Sequence, residues 1–189
     1  MVDGSAILMT MMWGLKQIGF WEESLGVNVL DTGAPFYDTY ETKDGKFVSL
    51  GSLEPQFYAE LIQRLGLEGE DLPAQMDRSG WPQLRERFTE LFKTKTRDEW
   101  AQIFEGSDAC FAPVLTMSEA TNDAHIKARG TVIERGGVPQ PAPAPRFSRT
   151  TAEIQRDAPW PGQQTDEALA DWGFASDEIA KLRETSAIR

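Results

Sequence analysis

The pair Asp44-Gly45 constrains this chain more than any other two residues, because it falls between two short runs of alternating side chains. Phe36-Tyr37-Asp38-Thr39-Tyr40-Glu41 precedes it and Lys46-Phe47-Val48-Ser49-Leu50 follows. Asp-Gly in that setting is a strong signal for a hairpin turn, so the spacing predicts two antiparallel strands. The alternation stops at Gly51-Ser52-Leu53-Glu54-Pro55. Pro55 suits the first helical position, and Tyr58, Leu61, Ile62 and Leu65 recur at helical spacing until Gly66. A hairpin running straight into an amphipathic helix points to an α+β arrangement.

The rest of the chain is read in the same way. A second helix is expected over 82–92, with Leu84, Phe88, Leu91 and Phe92 on one face. The capping box Thr96-Arg97-Asp98-Glu99 opens a third, which carries Trp100, Ile103 and Phe104 up to Gly106. Residues 109–115 read as a short buried strand, 122–129 as a short helix ended by Gly130, and 131–134 as a strand. Prolines 139, 141, 143 and 145 rule out helix and central strand, which leaves an extended connector. Two short helices, 165–172 and 176–182, lie beyond it, each opened by a hydroxyl cap. At the other end, Ala6-Ile7-Leu8-Met9-Thr10-Met11-Met12-Trp13 is too short to span a bilayer. It lacks the leader and cleavage site of a signal peptide and reads as a buried helix reaching about residue 18. The expected organisation is therefore an apolar helix and linker over 1–35, a small α+β domain over 36–138, and a Pro-rich return segment with two helices over 139–189.

With 40% hydrophobic and 26% charged residues in 189, the chain can bury a real core. Its net charge of −11 argues against a nucleic-acid footprint or a patch for anionic membranes, and its basic residues read as scattered. The single cysteine, Cys110, excludes an internal disulfide or a thiolate cluster and points to a reducing, cytoplasmic compartment. Placed in an apolar strand, its thiol is a poor nucleophile. His125 is the only histidine, so no site of several imidazoles can form. No Gly-rich phosphate loop is present, and Gly136-Gly137 matches none. Met9, Met11 and Met12 beside Trp13 read either as core packing or as a soft lining for a variable, greasy ligand.

Glu54 is the odd residue. It falls at the helix cap, where Ser, Thr, Asp or Asn serve best, so the position trades capping for something else. Two readings stay open: a carboxylate placed for chemistry, or a charge resting near the positive end of a helix.

Several blocks resemble the α-methylacyl-CoA racemases of the class III CoA-transferase and carnitine dehydratase superfamily. They include Met1-Val2-Asp3-Gly4, Asn28-Val29-Leu30-Asp31-Thr32-Gly33-Ala34-Pro35-Phe36-Tyr37 and Gly51-Ser52-Leu53-Glu54-Pro55-Gln56-Phe57-Tyr58. Further matches are Ser107-Asp108-Ala109-Cys110, His125-Ile126-Lys127-Ala128-Arg129-Gly130, Pro143-Ala144-Pro145-Arg146-Phe147 and Asp171-Trp172-Gly173-Phe174. The resemblance implies the C-terminal half of that fold and an isomerase that interconverts 2R- and 2S-methyl-branched acyl-CoA thioesters. It implies Glu54 as a catalytic group hydrogen-bonded to the family's proton-transferring Asp, with Tyr37, Leu53 and Leu30 binding the acyl chain. It further implies an interlocked homodimer and no cofactor apart from the coenzyme A carried by the substrate. The motifs bearing the family's His and Asp match positions upstream of Met1, so the chain alone is expected to be inactive. A CoA-transferase of the same superfamily, or an inactive remnant or interaction domain, are the alternative readings.

Overall fold

The computed structural model describes residues 1–188. The chain forms two compact units, Met1–Thr116 and a second that begins at Met117.

The first unit is built on a three-stranded antiparallel sheet in the order β1-β2-β3, of strands β1 (Thr39–Glu41), β2 (Phe47–Leu50) and β3 (Phe111–Val114). The expected hairpin is present: Tyr40 faces Val48, and Gly45 at φ +71° closes the turn by donating to the Thr42 carbonyl at 3.0 Å. Tyr40, Val48 and Leu50 are buried on the inner face while Thr39, Glu41 and Phe47 stay outside, as the period of two requires. Strand β3 is half-buried rather than buried as expected. It lies at the sheet edge with Ala112 and Val114 exposed, and an edge is where a proline such as Pro113 is tolerated.

Helices α3 (Pro55–Leu65), α4 (Trp81–Phe92) and α5 (Arg97–Phe104) supply the rest of this core. Tyr40 stacks on Phe92 at 5.1 Å, and Trp100 meets Phe92 edge-on at 5.1 Å while its indole donates to the Phe92 carbonyl at 2.9 Å. The predicted capping box is complete, because Thr96 accepts from the Glu99 amide and Glu99 from the Thr96 amide.

The N-terminal segment departs from expectation. Instead of one buried helix there are two short ones, α1 (Val2–Leu8) and α2 (Thr10–Gln17), with no buried residue in either. Thr10 bonds back to the Ile7 carbonyl at 2.7 Å, which competes with the helical ladder where it breaks. A helix apolar on every side needs neighbours on every side. Here only the stripe through Met12 and Leu15 is half covered, while Ile7, Leu8 and Trp13 face outward.

In the second unit, α6 (Met117–Ala120) and α7 (Ala124–Arg129) lead into a hairpin of β4 (Val132–Arg135) and β5 (Val138–Pro141). Gly136 and Gly137 form the turn with φ of +57° and +77°, the signs that a type I′ turn requires. The first part of the expected Pro-rich connector is thus a strand, which Pro139 and Pro141 allow because both strands of a two-stranded sheet are edges. Helices α8 (Thr165–Asp171) and α9 (Ser176–Glu184) lie where predicted. Their hydroxyl caps do not form: Thr165 and Ser176 are the first helical residues, and the cap of α9 is the Glu178 carboxylate accepting from the Ala175 amide at 2.8 Å. Among the described residues, no helix is long and apolar enough to cross a membrane.

Candidate functional site

Between β2 and α3 the backbone is tied down at each step. Gly51 donates to the Cys110 carbonyl at 2.9 Å and Ser52 to the Phe36 carbonyl at 3.0 Å. The buried Ser52 hydroxyl donates to the Ala109 carbonyl, and the Gln75 amide reaches the carbonyls of Ser52 and Leu53 at 3.1 and 2.9 Å. Glu54 follows as the helix cap in extended conformation (φ −74°, ψ 144°), with Pro55 at the first turn. Its side chain is exposed, makes no capping bond and bonds to no other described residue. A free carboxylate therefore stands on a fixed backbone, at the place the sequence singled out.

Two other side chains share this corner. A Cβ on Gly51 would lie 3.6 Å from Cys110 and 3.9 Å from the Tyr37 ring, so Tyr37 and Cys110 approach the same glycine. Cys110 is not inside an apolar strand as expected: it precedes β3, at φ +50°, and is exposed. Its thiol is still pushed up, first by its partial desolvation and then by the nearby carboxylates of Glu54 and Asp108, which keeps it protonated and non-nucleophilic at neutral pH.

Leu53, next to Glu54 in the chain, shares a second feature with Leu30. Both line an apolar cavity of about 320 Å³ together with Met11, Leu15, Trp21 and Met76. Tyr37 is not among its lining residues and stands at the Gly51 corner instead. Of the Met run near the N-terminus, Met11 takes the role of a soft wall.

The loop that carries Leu30 and Tyr37 has no regular structure, and polar bonds that sequence patterns did not reveal hold it. Asn28 is fully buried: its amide donates to the Glu22 carbonyl at 3.0 Å and to Asp31 at 2.7 Å, and its oxygen accepts from the Glu22 amide at 2.7 Å. Burial works to raise the Asp31 pKa, but hydrogen bonds from Asn28 and the Gly26 and Gly33 amides outweigh it and hold this carboxyl below its ordinary range. Arg85 of α4 clamps the other end, donating to Asp38 and to the carbonyls of Thr32 and Gly33.

Tyr58, four residues after Glu54, lies on the apolar stripe of α3 as its spacing predicts, but the fate of its hydroxyl has no sequence signal. Its ring packs edge-on against Phe36 at 5.6 Å, and its hydroxyl is shut off from solvent with no partner among the described residues. Burial pushes this phenol up. The replacement Tyr58→Phe is expected to stabilise the protein by about 1 kcal/mol by removing an unsatisfied buried group. The check is a higher urea midpoint at unchanged slope; a lower midpoint would reveal a hidden partner for the hydroxyl.

His125 is exposed on α7 in the second unit, and among the described residues no group of His, Cys, Asp and Glu is arranged to hold a metal ion.

Comparison with known proteins gives the context. An α-methylacyl-CoA racemase of Mus musculus is 46% identical over 185 residues, covering 96% of this chain and 48% of that protein. The Homo sapiens α-methylacyl-CoA racemase is 42% identical over 191 residues, covering 100% of this chain and 50% of its own length. The chain thus spans about half the length of the curated relatives it matches. Among solved structures, a CaiB/BaiF family protein from Brucella suis superposes with a TM-score of 0.63 at 20% identity, over 88% of this chain and 45% of that one. That likeness supports the α+β fold. CoA-transferase family III matches residues 1–165, and the chain belongs to that family.

Proposed function

We propose that this chain forms the acyl-binding face, and contributes the assisting carboxylate, of an α-methylacyl-CoA racemase. The reaction removes the proton α to a thioester carbonyl and returns it on either face, through an enolate whose oxygen needs hydrogen-bond donors as its charge develops. One observation carries the reading: the unpartnered Glu54 carboxylate adjoins Leu53, whose side chain opens onto the apolar cavity. Leu53 and Leu30 hold the branched acyl chain, and Tyr37 borders the Glu54 end. Glu54 hydrogen-bonds to the Asp that transfers the proton. A second carboxylate beside that Asp favours its protonated form, since two like charges in contact do not both ionise cheaply.

The racemases named above support this assignment by their identity to the chain. Coenzyme A enters as part of the substrate, and no separate cofactor is used. We assign the proton-transferring His and Asp that the resemblance implies to the N-terminal half of a racemase, across a homodimer of the kind the resemblance implies. The branched acyl-CoA substrate places the proposed reaction in fatty-acid metabolism, and the free thiol of Cys110 is compatible with a reducing, cytoplasmic compartment.

Deuterium wash-in tests the proposal. With a 2-methylacyl-CoA in D₂O, the 189-residue chain alone is expected to leave the α-carbon unlabelled. Mixed with the N-terminal half of a racemase from the family, it is expected to label that carbon. Labelling by the chain alone would refute the division of labour. Transfer of CoA to a free carboxylic acid without α-labelling would identify a CoA-transferase instead.

A further inference from the structure

The second unit holds a basic pocket for which the reading above has no use. Among the described residues, three arginines lack a carboxylate partner, and all three fall within 129–149: Arg129, Arg146 and Arg149. The other described arginines, from Arg64 to Arg183, each hold a carboxylate. The contrast matters because the chain has 30 acidic residues against 19 basic ones, so partners for an arginine are plentiful elsewhere. Over 124–149 the only acidic residue is Glu134, against Lys127, Arg129, Arg135, Arg146 and Arg149, and Arg135 is already paired with Asp157. The expectation of scattered basic residues fails here.

Geometry concentrates this charge on a concave surface. Arg129 and Arg146 line a pocket of about 340 Å³ together with Pro143, Phe147 and Thr151. Arg146 is held in place because its Nη2 donates to the carbonyls of Arg129 and Gly130 at the end of α7. Its Nη1 and Nε groups make no bond to another described residue, so the fork is oriented and still has donors to give. Thr151 adds a hydroxyl, and Phe147, 63% exposed, presents a flat apolar face beside the cations.

We propose that this pocket binds a nucleoside diphosphate, the two guanidinium groups taking the phosphates and Phe147 carrying the base. Planar guanidinium forks match phosphate oxygens in pairs. An aromatic face stacks a base with little regard to its identity. The volume is in the range of small-molecule sites. The proposal does not rest on the racemase reading, which concerns the first unit; because coenzyme A also carries an adenosine diphosphate, it is the loss of binding in Arg129→Ala and Phe147→Ala that assigns ADP to this pocket.

Calorimetric titration of ADP into the full 189-residue chain at low salt is expected to show saturable binding that weakens as salt is added. Arg129→Ala removes a side chain that bonds to no described residue, so its urea midpoint should stay put while ADP affinity falls by roughly tenfold or more. Phe147→Ala should weaken ADP and leave inorganic diphosphate unaffected, and adenosine should not bind detectably. The proposal is overturned if ADP fails to saturate at low salt, if Arg129→Ala binds ADP like the parent, or if diphosphate binds as tightly as ADP and Phe147→Ala changes neither.

Discussion

Glu54→Gln, carried in an enzyme assembled from this chain and the N-terminal half of a family racemase, should lower α-deuterium exchange by about 10²-fold or more, the range for losing an acid/base group. The amide keeps the shape of the carboxylate and takes away its charge, and with it the proton-sharing with an Asp that the proposal assigns to Glu54. Substrate binding should change little, because the proposal seats the acyl chain in the cavity lined by Leu30 and Leu53, and Glu54 is not among its lining residues. Stability should also stay constant, since Glu54 caps no helical amide and bonds to no described residue, so its charge supports no part of the fold. The expected pattern is therefore a kcat effect with KM and urea midpoint preserved. Unchanged exchange in this variant would remove Glu54 from the mechanism, and a lowered urea midpoint would assign it a structural role instead.

The residues whose roles were legible are those whose signals are local. Asp44-Gly45 specifies its own turn, and Pro55 and Gly66 bracket α3, with Gly66 at φ +74° ending it as a left-handed cap. Thr96 and Glu99 satisfy each other within one turn. Glu54 stood out for the same reason, as a poor capping type at a cap position. Its neighbourhood was not legible, because Cys110 reaches Gly51 only through the pairing of β3 with β2. Arg85 acts on carbonyls and a carboxylate far from it in sequence, and no periodicity marks such a clamp. The β4–β5 turn differs, since its signal was present: Gly136-Gly137 is a hairpin pair, masked by the prolines that follow and that an edge strand tolerates. The N-terminal run shows the converse failure. Its apolar composition predicts burial, but composition does not supply the surfaces that bury it.

Gly33→Ala should be the most damaging small substitution in the loop that shapes the cavity. Gly33 is not needed for a left-handed backbone, since its φ is not positive; it is needed because the chain folds back on itself there. A Cβ at this position would lie 2.5 Å from the Asn28 carbonyl oxygen and 2.6 Å from the Asn28 nitrogen, and both are backbone atoms that no rotamer change can move. The Gly33 amide also donates to that same carbonyl at 3.0 Å, so relieving the clash breaks the bond that closes the loop. Asn28 would be displaced with it, releasing Glu22 and Asp31 from their buried partner. Overpacking of this kind costs about 3 kcal/mol where the surroundings cannot yield. That is a large part of the 5–15 kcal/mol typical of a folded domain. Gly69→Ala is the control: nothing lies within 4 Å of its Cβ position, so it should be close to neutral. The check is a pair of urea transitions with 2-methylacyl-CoA binding measured alongside. Gly33→Ala should lower the midpoint and lose binding, because Leu30 leaves the cavity wall as the loop opens. A midpoint equal to that of Gly69→Ala would mean that the loop is free to move apart, and that Asn28 does not hold Leu30 in place.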